Sequence, residues 1–117
     1  MPVDARLKKI KEILEKHNGK INQISAGEIG LQIGVDEDAT HVQVRSLILQ
    51  VIEEFRLPVA AASRGYYLIS TENELNKYLD GIDGRIQEMK KRKGFVKVAF
   101  ESYYKSRVQR EGLGQET

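Results

Sequence analysis

The 117-residue chain contains no cysteine, which excludes a disulfide framework and any thiolate metal site. Long apolar runs are also missing: no stretch approaches the roughly 18 residues that a membrane span requires. Met1 opens a charged, amphipathic pattern instead of a basic-then-apolar leader, so a cytoplasmic protein without membrane association is expected. The signatures of catalysis are missing too. There is no Gly-rich phosphate loop, no pair of histidines at ligand spacing and no Gly-x-Ser-x-Gly nucleophile turn. The two histidines, His17 and His41, fall at expected helix ends, where a cation suits a C-terminus and an imidazole needs no ligand role. Asp36-Glu37-Asp38 lacks the alternating oxygen ligands and glycine of a calcium loop and reads as a helix cap. A non-catalytic protein with no metal and no cofactor is expected.

Net charge is small at +2, but its distribution is uneven. Residues 1–70 carry five Lys and four Arg against nine carboxylates, whereas residues 85–110 carry nine cations against Glu88 and Glu101 alone. Such a basic block suits phosphate contact, and a solvated helix face is the plain alternative.

Leu7, Ile10, Ile13 and Leu14 recur at helical spacing, with Val3 extending the stripe, and His17-Asn18-Gly19 ends this first helix. Lys20 to Ile24 is short, and a stub of strand there could pair with a later hairpin. Ser25-Ala26-Gly27-Glu28 is a capping box that opens a short second helix rich in small residues, with Ile29 and Ile33 on one face and Gly34 as its stop. Asp36, Glu37 and Asp38 suit the positive dipole end of a third helix running to about Phe55. Val44, Leu47, Ile48, Val51 and Phe55 form its inner face, with Val42, Leu49 and Ile52 on a flank. A deeply buried helix with only a narrow polar strip of Gln43, Ser46, Gln50 and Glu53 is expected. Pro58 stops that helix. Two strands near residues 58–62 and 65–69 then flank a turn at Ser63-Arg64-Gly65.

Thr71-Glu72-Asn73-Glu74 is a second capping box. Beyond it Leu75, Leu79, Ile82, Ile86 and Met89 repeat at alternating spacings of four and three, and the register continues through Lys93 to Val96, Phe100 and Tyr103. This is the pattern of a coiled-coil seam, so a homodimer through the last helix is expected. Gly81, Gly84 and Gly94 weaken the helix, and a bend or break near Gly94 is expected. The organisation is therefore a domain over residues 1–70, a basic dimerisation helix over 71–110 and a disordered tail over 111–117. The fold class is mainly α with a small β-hairpin.

The arrangement from Asn18 to Leu68 resembles the winged helix-turn-helix at the N-terminus of biotin repressors. The likeness is carried by the Ser25 cap, Gly30 and Gly34, the apolar Val44/Ile48/Val51 set and the wing ending Gly65-Tyr66-Tyr67-Leu68. The chain is also similar to small winged-helix proteins of tailed bacteriophages, in which a Gly-Tyr wing precedes an acidic cap and a charged helix, as in Thr71 to Arg92. Asp36–Thr40 departs from the repressors: it adds about one helical turn before the third helix and is acidic.

The resemblance implies binding of double-stranded DNA, with a regulatory or replication-initiating role and, from the second likeness, a bacteriophage source. Gln43, Arg45, Ser46 and Gln50 would face the major groove, since Gln pairs with adenine and Ser serves several base edges. Ser63 and Arg64 would meet phosphate or minor groove at the wing tip. Lys90, Lys91, Arg92 and Lys93 would form a second phosphate zone. Of Tyr66 and Tyr67, alternation sends one to the core and leaves the other free. The rival readings are a winged-helix adaptor that binds protein and, behind it, a detached domain of a nucleic-acid enzyme.

Overall fold

A computed structural model describes residues 4–35 and 41–111, with side chains through Lys105. Among the described residues, four α-helices and one antiparallel hairpin make a mainly α architecture. The chain divides into two compact units that part between Tyr78 and Leu79. No helix among the described residues is long and apolar enough to cross a membrane.

In the first unit, α1 spans Ala5–Leu14 and is capped by the Asp4 carboxylate, which accepts from the Arg6 N–H at 2.8 Å. Its expected stripe of Leu7, Ile10, Ile13 and Leu14 is buried. A 3-10 turn at Lys20–Asn22 follows. The possible strand stub reduces to Ile24, which exchanges two backbone hydrogen bonds with Tyr66 at 2.9 and 2.8 Å.

Helix α2, Ala26–Ile33, begins where the Ser25 hydroxyl accepts from the Glu28 N–H at 3.1 Å, and Gly34 closes it in the left-handed region. Small residues let α2 lie close to the next helix: a β-carbon on Gly30 would meet the Val44 methyl at 3.2 Å. Helix α3 spans Val42–Phe55. Its first turn holds no acid, and its N-cap is His41 at φ 50°. The expected cap at Asp36, Glu37 and Asp38 lies outside the described residues.

The inner face of α3 is as the wheel predicts, with Val44, Leu47, Ile48 and Val51 buried against α1 and α2. The flank is not. Val42 and Leu49 are exposed, at 59% and 62%, so the expectation of a helix free only along a polar strip is corrected. A wheel tallies apolar residues without revealing which neighbour covers them, and the core covers only the Val44–Val51 side. Phe55 is half-buried beneath the Lys11 ammonium, 5.9 Å from the ring centre.

The hairpin pairs β1, Val59–Ala62, with β2, Gly65–Leu68, around a two-residue turn in which Ala62 faces Gly65. Helix α4 then runs unbroken from Glu72 to Glu111, so the break expected near Gly94 does not occur. A lone glycine costs about 1 kcal/mol relative to alanine, short of what breaks a helix with formers on both sides. Glu74 makes several bonds at the start of α4. Its own N–H bonds to the Thr71 hydroxyl at 3.1 Å, while its carboxylate accepts from the Ser70 and Lys20 N–H groups at 2.9 and 3.0 Å. One side chain thus ties the start of α4 to the 3-10 turn.

The second unit is the remainder of α4. Along its seam Leu79, Ile86, Met89, Val96, Phe100 and Tyr103 are exposed, and Ile82 is half-exposed. Leu75, the seam residue on the first-unit side, is at the margin of exposure, and the Tyr104 ring packs tilted against Phe100 and edge-on against Tyr103. Glu111, the first residue of the expected tail, ends α4 instead, and residues 112–117 lie outside the described residues.

Candidate functional site

Two surfaces gather the chemistry-bearing residues of the first unit. On α3, Gln43, Arg45, Ser46 and Gln50 are all exposed, because a 14-residue helix that buries Val44, Leu47, Ile48 and Val51 must turn the intervening positions outward. At the hairpin turn Ser63 and Arg64 are exposed as well.

The hairpin tip is held in place. Arg64 donates its backbone N–H to the Gln23 side-chain carbonyl at 3.0 Å, and Gln23 in turn donates to the Lys20 carbonyl at 2.9 Å. The Arg64 guanidinium makes no ion pair within 4.0 Å among the described residues. Lys20, Ile21, Gln23, Ser63 and Arg64 line one shallow recess, in which two cations flank an isoleucine that is 95% exposed. His17 Nδ1 and Asn22 reinforce the same turn, bonding to the Asn22 carbonyl and the Asn18 carbonyl at 2.9 and 2.6 Å.

A second, apolar groove of about 460 Å³ lies between α3 and the hairpin. Val42, Leu49 and Ile52 form one wall, Ala61 and Tyr66 the other, with Arg45, Ser46 and Tyr78 at its edges. Burial pushes the Tyr66 phenol pKa up, and the Arg45 charge pulls it the other way. The alternation expected of the two tyrosines holds for Tyr67, which is in the core; Tyr66 is half-buried and spent on this groove.

Lys90, Lys91, Arg92 and Lys93 are exposed on α4 in the second unit, where Lys91 approaches Glu88 at 3.8 Å. Arg85, Lys97 and Lys105 of that block are exposed as well, and Arg107 and Arg110 lie past the last described side chain.

The pairing of the Lys20–Ile24 segment with the hairpin was readable in the sequence, whereas Gln23 as the anchor of Arg64, 41 positions away, was not. Sequence reasoning also missed Val42 and Leu49 as surface residues.

The arrangement offers exposed hydrogen-bonding side chains on one helix, a cation on a turn braced by Gln23 and an apolar groove. No protein-family model matches the chain, and neither does any curated protein or solved structure.

Proposed function

We propose that this chain is a winged helix-turn-helix protein that binds double-stranded DNA and catalyses no reaction on it. The observation that carries this reading is the pairing of an exposed polar strip on α3 with a braced cationic turn. Gln43, Ser46 and Gln50 project from a helix fixed by its packing on α1 and α2, and Arg64 projects from a turn anchored by Gln23. Helix α3 would lie in the major groove with Arg45 at its border, and Ser63 and Arg64 would contact the flanking backbone or minor groove. Lys90, Lys91, Arg92 and Lys93 would add phosphate contacts. The protein would act in the cytoplasm as a homodimer joined through the seam of α4, which suits a two-fold operator or a repeated origin site. A role in transcription regulation or replication extends the winged-helix resemblance.

One observation favours a second reading. Exposed Val42 and Leu49 give α3 an apolar outer edge beside the groove, and such a face suits a protein partner better than a base edge. Retention of the purified chain on immobilised duplex DNA separates the two. Retention that salt removes supports DNA binding; capture of a protein partner with no DNA retention supports the adaptor.

A further inference from the structure

The charge pattern around the exposed seam of α4 points to the direction in which two copies pair. We infer that the helices associate antiparallel, centred between Gln87 and Glu88. The inference rests on the homodimer reading above and deepens it.

Helix α4 is polarised along its length. Residues 72–83 carry four carboxylates, Glu72, Glu74, Asp80 and Asp83, against Lys77 alone, whereas residues 89–97 carry five cations and no carboxylate. Because the helix is unbroken, heptad positions hold along all of it. Leu79, Ile86, Lys93 and Phe100 take one seam position, a, and Ile82, Met89, Val96 and Tyr103 the other, d. Arg85 and Arg92 border the seam on one side, and Asp83, Lys90 and Lys97 border it on the other.

In a parallel, in-register pair each a residue meets its own copy, so Lys93 would face Lys93 inside the seam. The flanking pairs would be Arg85 with Lys90 and Arg92 with Lys97 of the second copy, all of like sign. Nothing in that arrangement would offset the repulsion.

Antiparallel pairing about the stated centre removes most of it. Ile86 then meets Met89 of the second copy, and Leu79 meets Val96. Lys93 lies opposite Ile82, beside the Asp83 carboxylate. The flank on that side pairs Asp83 with Lys90 twice, by symmetry. One like-charged pair remains, Arg85 with Arg92, and it too occurs twice by symmetry, against four like-charged flank contacts and the Lys93–Lys93 contact of the parallel pair. Edge charges of this kind set helix orientation in coiled coils, and here they select the antiparallel one.

The absence of cysteine makes the test clean. Leu79→Cys and Val96→Cys are made singly in the full chain, at exposed positions where folding does not depend on the side chain. Each is oxidised alone and as an equimolar mixture, with one variant carrying a mass tag. The expected result is a mixed disulfide between the two variants and little self-crosslinking of either.

Self-crosslinking of each variant alone would overturn the antiparallel direction while leaving the dimer intact. No crosslink from a chain of dimer mass would mean that this seam is not the interface, and a monomer mass would remove the dimer reading itself. As a second measurement, Asp83→Lys weakens the sedimentation dimer constant roughly tenfold, and Lys90→Asp added to it restores association. An unchanged constant in Asp83→Lys would overturn the inference, because in a parallel pair Asp83 borders only Tyr78.

Discussion

The carbonyl oxygen of Ile24 lies where a β-carbon on Gly65 would have to be. Ile24 and Tyr66 exchange backbone hydrogen bonds at 2.9 and 2.8 Å, and that pairing brings the chain before α2 flush against the first residue of β2. Gly65 also holds φ at 151°, a backbone conformation that side chains rarely adopt. Substitution therefore meets both a backbone collision and conformational strain. Gly65→Ala is expected to destabilise the first unit by about 1–3 kcal/mol. Thermal unfolding followed by circular dichroism checks this, with a Tm lowered by roughly 5–20 °C.

Glu74 gives the fold a dependence on acid. Backbone N–H donors from Ser70 and Lys20 hold its carboxyl below the ordinary glutamate range. A depressed folded-state pKa adds stability that is fully present above the unfolded value and is lost as pH falls through the folded one. Glu74→Gln is expected to lower stability at pH 7 and to shrink the loss between about pH 5 and pH 3, measured by urea unfolding across that range. Parallel acid curves for both proteins would show that the carboxylate contributes nothing.

Much of the first unit was legible because local chemistry and packing agree there. The stripe Leu7/Ile10/Ile13/Leu14 is buried, the Ser25 cap forms and the hairpin begins and ends within a residue of its expected limits. Illegible features depend on who the neighbour is. Leu49 and Val51 are both apolar, yet only Val51 lies in the core cluster, so one is exposed and the other is not. Gln23 bracing Arg64 is a contact between distant segments with no periodic trace. The continuity of α4 through Gly94 turns on a sum of small propensities that a single glycine does not reverse. The exposure of Gln43, Arg45, Ser46 and Gln50 was readable from the wheel, whereas the place of Lys20 and Ile21 beside the hairpin tip was not.

Helix α4 provides a direct check on association. Ile86 is exposed on the seam, so Ile86→Asp places a charge in the proposed interface without touching the core of the first unit. Light scattering at micromolar concentration is expected to read a dimer for the native chain and the 13.3 kDa of one chain for the variant. A monomer mass for both would remove the dimer.

Gln43 and Gln50 are exposed on the same helix, a little under two turns apart. Replacing either with Ala is expected to change the preferred DNA sequence more than the total affinity, since a good bidentate contact discriminates by about 1–3 kcal/mol. Sites selected from a random duplex pool by the native chain and each variant make the comparison. Identical profiles would mean that α3 does not read bases.

Contact between the braced hairpin tip and duplex DNA is tested by a salt titration of binding. Affinity of the native chain for duplex is expected to fall linearly with the logarithm of salt concentration. Arg64→Ala is expected to weaken binding to all sequences alike and to reduce that slope by roughly one. Arg64 is exposed, so the variant keeps its fold. A native chain that shows no affinity for duplex at low salt, or a variant with unchanged affinity and slope, would contradict the account.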